Sequence, residues 1–310
     1  MSGRESQTVI FRDATNPDFL DPREYFRDKA GTPRKSFGQH FLAQPRTAAK
    51  IVREAHIKPA DVVVEIGPGL GALTRFILEG PAAELHLVEL DRDLAEYLRE
   101  RVKGLHLPVH VHRRDVLDFE FERLSKDSGR PLVVLGNLPY NISSPLLFRL
   151  LRQASFLDRA VFMVQKEVGR RWAAPPGGKD YGVLSVLLSL YARVEVLFEV
   201  GPKQFHPPPR VDSVVLRLDF NRPFPDELPP FEDLRAVANT AFQQRRKTLR
   251  NSLKSLPGVN RGLVLEEAFA AAGIDSGRRA ETLAGEELVR LTRALAPWLR
   301  PPAEHRSSGG

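Results

Sequence analysis

Seven short runs rich in Val, Ile and Leu, separated by longer stretches of helical periodicity, constrain this chain more than any other feature. They fall at residues 62–66, 85–89, 109–112, 132–136, 160–165, 194–200 and 213–219. A strand buried on both faces reads as a nearly continuous apolar run, and parallel neighbours need a crossover between them. Alternation of such runs with amphipathic stretches predicts a doubly wound α/β domain, a parallel sheet wrapped by helices. The last two runs are joined by Gly201-Pro202-Lys203-Gln204-Phe205-His206-Pro207-Pro208-Pro209-Arg210, which leaves no room for a crossover helix. These two should pair antiparallel.

Around this sheet the chain divides by composition. Residues 1–35 are polar without sustained periodicity and read as a flexible extension. Residues 36–220 hold the sheet. A Pro-rich stretch from Asn221 to Pro230 reads as a linker into a small helical domain, the whole covering 221–297, and 298–310 reads as a frayed tail. With 310 residues and 42% hydrophobic content, the chain can build a sizeable core. It has no cysteine, which removes disulfides, thiolate metal sites and cysteine nucleophiles. Met1-Ser2-Gly3-Arg4-Glu5 carries no apolar segment of the secretory kind, and the longest largely apolar stretch, 183–192, falls well short of the roughly 20 residues that span a bilayer. A soluble, cytoplasmic protein without a membrane partner is expected.

The strand ends carry the chemistry. Residues 62–66 run into Gly67-Pro68-Gly69-Leu70-Gly71 and then an amphipathic pattern: strand, tight turn, helix start. Glycines there let a ligand approach the backbone, although a packing turn gives the same pattern and the spacing departs from the dinucleotide fingerprint. Glu89 closes the second run, where a carboxylate can accept both hydroxyls of a ribose; Asp91 lies further into the loop. Asp115, just past the third run, is placed either to bond an adenine amino group or to cap a helix. Asn137 closes the fourth. Four successive strand ends thus present Gly or polar residues toward one crevice, the place where open α/β sheets bind ligands. A nucleoside-containing cofactor follows, and S-adenosylmethionine suits the neighbouring tetrapeptide better than a nicotinamide.

That tetrapeptide is Asn137-Leu138-Pro139-Tyr140. The amino group of a purine is a poor nucleophile because its lone pair is delocalised into the ring. The side-chain oxygen of Asn137 and a main-chain carbonyl near Pro139 could each accept one of its hydrogens and favour a pyramidal nitrogen as it attacks. Tyr140 would stack on a base that has left its own stack. An ordinary Asn-x-Pro turn is the competing reading.

Net charge is +7, and residues 235–261 hold seven cations and no acid. That segment alone equals the net charge of the chain. Arg246, Arg250 and Lys254 recur at i, i+4 and i+8, one stripe of a helix, with Val237, Ala241, Leu249, Leu253 and Leu256 free to face inward. Such a stripe can track phosphates.

Taken together, these residues resemble the ribosomal RNA adenine dimethyltransferases, and within them the bacterial small-subunit (16S) enzymes. The resemblance runs from about residue 35 to about 284. It is carried by Phe37-Gly38-Gln39-His40-Phe41-Leu42, Glu65-Ile66-Gly67-Pro68-Gly69, Asn137-Leu138-Pro139-Tyr140-Asn141-Ile142-Ser143 and Gln165-Lys166-Glu167-Val168. Further on come Tyr181-Gly182-Val183-Leu184-Ser185, Phe205-His206-Pro207-Pro208-Pro209-Arg210-Val211-Asp212-Ser213 and Ala241-Phe242-Gln243-Gln244-Arg245-Arg246-Lys247-Thr248-Leu249.

The resemblance implies a Rossmann-like class I S-adenosylmethionine-dependent methyltransferase with a seven-stranded sheet, its last strand antiparallel, and a small all-helical C-terminal domain. It implies that His40, Leu42, Gly67, Gly69, Glu89, Asp115 and Asn137 bind S-adenosylmethionine. Asn137, Pro139, Tyr140 and Phe205 would serve catalysis, with Phe205 facing Tyr140 across a flipped adenine. Arg245, Arg246, Lys247, Arg250 and Lys254 would hold RNA. The family usually has Asn where this chain has His40; a main-chain contact survives that change, whereas one requiring the amide does not. The implied reaction is four methyl transfers to two neighbouring adenosines near the 3′ end of 16S ribosomal RNA in the small subunit, by a monomer that needs no metal. Three competing readings are a large-subunit (23S) RNA adenine methyltransferase of the macrolide-resistance type, a ribosome-assembly factor that needs no methylation and, more remotely, a hydride-transfer enzyme.

Overall fold

The computed structural model of the chain describes residues 19–28, 40–221, 227–244, 246–259 and 262–299. Contacts divide the chain into two compact units, one comprising residues up to 139 together with 202–210, the other 140–201 together with residues from 211 onward. The expected division at residue 220 does not coincide with these units.

In the first unit β2 (Val62–Ile66) pairs in parallel with β3 (Glu84–Glu89) on one side and β5 (Leu132–Asn137) on the other, and β3 pairs in parallel with β4 (Val109–Arg113). All five residues of β2 are buried, Glu65 among its four apolar neighbours included. Ile66 stands opposite both Val88 and Gly136, so the carboxyl ends of β2, β3 and β5 finish level. β4 is the edge, and its alternating Val109-His110-Val111-His112-Arg113 is partly exposed. Charged and polar side chains along an edge discourage pairing with another chain.

Helices α2 (Pro45–Glu54), α3 (Thr74–Leu78), α4 (Arg92–Arg101) and α5 (Phe121–Ser128) belong to this unit. Pro45 opens α2, where a missing N–H costs nothing, and Ala48, Ile51 and Val52 give it a buried stripe. Asp91 caps α4 by accepting from the backbone N–H groups of Asp93 and Leu94. Both of these bonds use the same oxygen of Asp91, Oδ1.

The flexible extension expected over 1–35 does not hold for residues 19–28. Pro22–Asp28 form α1, and Phe19 and Tyr25 are each 6% exposed. Tyr25 packs with Phe41, Leu70 and Leu94, with Leu20 and Tyr97 against the same cluster. The Leu20 N–H donates to the Tyr97 hydroxyl at 2.9 Å, and Arg75 donates to the Phe19 carbonyl at 2.9 Å. Two buried aromatics, each contributing about 1.5–3 kcal/mol, overcome a polar composition that by itself argued for disorder.

In the second unit β9 (Ser213–Asp219) lies between β6 (Leu157–Gln165) and β7 (Arg193–Val200), antiparallel to both. The full sheet has seven strands in the order β4-β3-β2-β5-β6-β9-β7, with β8 (Phe205–His206) and β1 (Phe41–Leu42) forming a separate antiparallel pair. Each expected run became a strand, with ends moved by up to three residues. The two-residue strands β1 and β8 were too short to leave a periodic signal.

Helices α6 (Ser143–Arg152), α7 (Lys166–Trp172) and α8 (Val183–Tyr191) are followed by α9 (Phe231–Phe242), α10 (Leu249–Leu253), α11 (Gly262–Ala272) and α12 (Gly285–Leu299). α8 is buried around most of its circumference through Val186, Leu187, Leu188 and Leu190. Such a helix needs cover on more than one side, and α9 and α12 supply it. Tyr181 donates to the Leu283 carbonyl at 2.8 Å, which ties the segment before α8 to the C-terminal helices. This shared core explains why the compact unit does not end at residue 220. The tail expected from 298 begins as the last turn of α12, and residues 300–310 lie outside those described. Among the described residues no helix is long and apolar enough to cross a membrane.

Candidate active site

The loop leaving β2 turns in three left-handed steps, Gly67 at φ 61°, Gly69 at φ 58° and Gly71 at φ 81°. Side-chain-bearing residues adopt that region at a cost of roughly 1–2 kcal/mol. The place of a Cβ on Gly67 is open space, with nothing within 4 Å, whereas one on Gly69 would sit 3.0 Å from the Phe41 ring. The backbone at Gly67 is therefore open to a ligand, and Gly69 is closed against the segment that precedes the sheet.

Glu89 lies beside this loop with 6% of its surface exposed. One carboxylate oxygen accepts the Asp91 N–H at 2.9 Å and the other accepts the Gly69 N–H at 3.1 Å. Burial raises its pKa, and the N–H bonds from Asp91 and Gly69 oppose that rise. A carboxylate oxygen has two lone pairs, so each still has capacity for a hydroxyl donor. Glu89 thus joins the glycine turn to the end of β3 and keeps acceptors for a diol.

Glu65, which the sequence reading passed over as a site residue, lies beneath the same turn at 1% exposure and accepts the Thr74 hydroxyl at 2.6 Å. Desolvation pushes its pKa up to about 8; the Thr74 bond opposes the rise and the nearby Glu89 charge adds to it. Two carboxylates this deeply buried share one negative charge more easily than two. A lone acid inside Val62-Val63-Val64-Glu65-Ile66 was the signal that could have found it.

Asp115 makes the capping contact that the sequence allowed. Its carboxylate accepts the Leu117 N–H at 2.8 Å and caps a single 3-10 turn, Val116–Asp118.

At the end of β5 the Asn137 side chain donates through Nδ2 to the His40 carbonyl, 2.9 Å away. This bond assigns the amide: one N–H of the nitrogen goes to the backbone, and Oδ1 is the side chain's acceptor. The His40 ring reaches the Pro207 carbonyl through Nδ1 at 2.8 Å, a contact in which the imidazole N–H donates. Between these, Phe41 stands opposite His206, and Leu42 opposite Phe205. The structure therefore brings together His40, Leu42, Asn137 and Phe205. Because His40 meets Asn137 through its main chain, an Asn at position 40 could make the same bond.

Leu138 is 1% exposed and anchors the tetrapeptide, with Pro139 half-buried behind it. Phe205 is 4% exposed, so contact with a base requires its ring to be uncovered. Tyr140 belongs to the second unit, where burial pushes its hydroxyl pKa up against a hydrogen bond with Ser213.

The cationic stripe is not one helix. α9 ends at Phe242, and Thr248 restarts the chain as the cap of α10 by accepting from the Asn251 N–H. Arg246 and Lys247 consequently sit in the turn between the helices, Arg250 within α10 and Lys254 at its end, all four exposed. Arg245 lies outside the described residues. Arg250 pairs with Glu266 at 2.8 Å, an acid from α11 that the local count could not include. Val237, Ala241, Leu249, Leu253 and Leu256 do face inward.

Residues 31–296 match the family described as ribosomal RNA adenine dimethylase. Among curated proteins, the chain is 44% identical over 271 residues to the ribosomal RNA small subunit methyltransferase A of Pseudomonas fluorescens, covering 87% of this chain and 97% of that one. It is 46% identical over 267 residues to the protein of the same name from Nitrosococcus oceani, covering 86% and 96%. Among solved structures it is similar to a dimethyladenosine transferase from Plasmodium falciparum, with TM-score 0.67, 26% identity, and 83% of this chain and 98% of that one covered. It is also similar to the 23S rRNA methyltransferase ErmE, with TM-score 0.59, 27% identity, and 83% and 99% covered.

Proposed function

This chain belongs to the ribosomal RNA adenine dimethylase family, and on that premise we propose that it dimethylates the amino groups of two adjacent adenosines near the 3′ end of 16S ribosomal RNA in the small subunit. The observation that carries the chemistry is the Asn137 amide, whose Nδ2 donates to the His40 carbonyl and whose Oδ1 remains as an acceptor.

S-adenosylmethionine fits the donors and acceptors present and supplies the methyl group. Glu89 would hold the ribose through its remaining lone pairs, the open backbone at Gly67 would admit the methionine end, and His40, Leu42 and Gly69 would shape the cradle. Asp115 would meet the adenine while still capping its turn. The Asn137 oxygen and the Pro139 carbonyl would accept the two hydrogens of the substrate amine, which stabilises the positive charge that grows on nitrogen. Tyr140 and Phe205 would hold the flipped base. Rate enhancement then rests on positioning and on acceptors that need no reorganisation.

A catalytic part over 36–220 and a helical RNA-binding part over 221–297 would divide the labour. Arg245, Arg246, Lys247, Arg250 and Lys254 would meet phosphates, and folded RNA suits a surface that reads shape. The protein would act as a cytoplasmic monomer. The small-subunit assignment follows the names of relatives that match along nearly their whole length, whereas the 23S enzyme is the more distant likeness. Incubation of the protein with a labelled methyl donor and undermethylated small subunits, followed by mass mapping of the RNA, tests it. Label on two adjacent adenosines near the 3′ end is expected; label confined to large-subunit RNA would overturn the assignment.

A further inference from the structure

A second cluster of chemically able side chains lies away from the glycine turn, on the β3–β4 edge of the first unit. Successive side chains on a strand alternate between faces, so Glu84 and His86 share one face of β3, and His110 and His112 share one face of β4. The parallel register sets His86 opposite His110, which puts all four on the same side of the sheet. One Glu84 oxygen lies 3.0 Å from Nε2 of His86 and 2.9 Å from Nε2 of His110. The ligand atoms of Glu84, His86 and His110 all fall within 4.8 Å of one another. Nδ1 of His86 is 2.9 Å from Nε2 of His112, and the two rings stack with centroids 5.2 Å apart.

We propose that Glu84, His86 and His110 form a binding site for one divalent transition-metal ion of the zinc class. Two imidazoles and a carboxylate are a donor set such ions accept, with a fourth position left for water. The burial gradient suits it. The His86 side chain is 6% exposed and would fix the inner ligand, while Glu84 at 29% and His110 at 49% open the site to solvent. His112 would act one step removed, its Nε2 accepting a hydrogen bond from Nδ1–H of a metal-bound His86 and so holding that ring as the Nδ1–H tautomer. Binding then needs no net proton release from neutral rings: the proton on Nε2 of each ligating imidazole gives way to the metal and Nδ1 carries one instead.

The test is titration of the chelator-treated full-length protein with cobalt(II) or zinc(II) alone. One ion per chain is expected, with visible d–d absorption of low-coordinate cobalt. Glu84→Gln and His110→Ala, both at partly exposed positions, should each bind at least about tenfold more weakly while keeping the far-UV spectrum of the parent. His112→Ala should lose about 10- to 100-fold in affinity. His106→Ala, at an exposed position outside the cluster, should bind as the parent does. An absence of saturable binding, binding undiminished in both Glu84→Gln and His110→Ala, or binding lost in His106→Ala would overturn the proposal.

Discussion

Replacing Glu65 by Gln should make the protein more stable relative to the parent as the pH rises, and the size of the effect follows from burial. The Glu65 carboxyl is 1% exposed and its pKa is pushed up to about 8, against an ordinary value of 4.5. In the unfolded chain the acid ionises above 4.5, whereas in the folded protein it keeps its proton until about 8. The neutral group's contribution is fully present below pH 4.5 and is lost as the pH rises to 8. Each unit across that window is worth about 1.4 kcal/mol, about 5 kcal/mol in all as an upper figure. The amide of the Glu65→Gln variant would keep the Thr74 contact and titrate nothing. Its extra N–H groups would add an offset that is the same at every pH.

Urea unfolding of both proteins at pH 6 and pH 9 reads the difference directly. The gap between the Glu65→Gln variant and the parent should widen by about 3 kcal/mol in favour of the variant. The same gap at both pH values would refute the reasoning, because it would mean that Glu65 is already ionised in the folded protein.

Gly69→Ala should cost roughly 1–2 kcal/mol in thermal unfolding and weaken S-adenosylmethionine binding by about tenfold in calorimetry, since φ 58° and the Phe41 ring both oppose a Cβ. Unchanged affinity would separate the turn from the cofactor. His40→Asn should keep kcat within a few-fold of the parent, because the Asn137 bond uses the main-chain carbonyl; a collapse in kcat would assign a role to the ring. Arg246→Ala combined with Lys247→Ala should weaken RNA binding and lower the slope of log affinity against log salt by about two. An unaltered slope would remove the inter-helix turn from the RNA surface.

The sheet was legible because fully buried strands leave a nearly pure apolar run, and β2 with its five buried residues is the clearest instance. The glycine turn and the acid at the end of β3, which bonds to it, were legible for a related reason: at a strand end few residue types meet the backbone geometry. What escaped depended on contacts distant in sequence. The His40–Asn137 bond spans 97 residues and leaves no local pattern. α1 was read as part of a flexible extension because its burial rests on Leu70, Leu94 and Tyr97, not on its own seven residues. The cationic stripe failed differently. The i, i+4, i+8 spacing is real, but α9 ends at Phe242 and Thr248 caps a new helix, so Arg246 and Arg250 do not share one. The Glu84, His86, His110 group stayed hidden because its two halves lie on separate strands, each showing only an alternation of polar and apolar residues.

The proposed chemistry needs Asn137 as an acceptor in the transition state beyond any contact it makes with the cofactor, and a single variant separates the two. Asn137→Ala should be assayed for S-adenosylmethionine affinity, small-subunit affinity and single-turnover methyl transfer. Both affinities should stay within a few-fold of the parent while transfer falls by about 10²–10³, the effect of removing one preorganised partner of developing charge. Transfer at the parental rate would contradict the account at its centre.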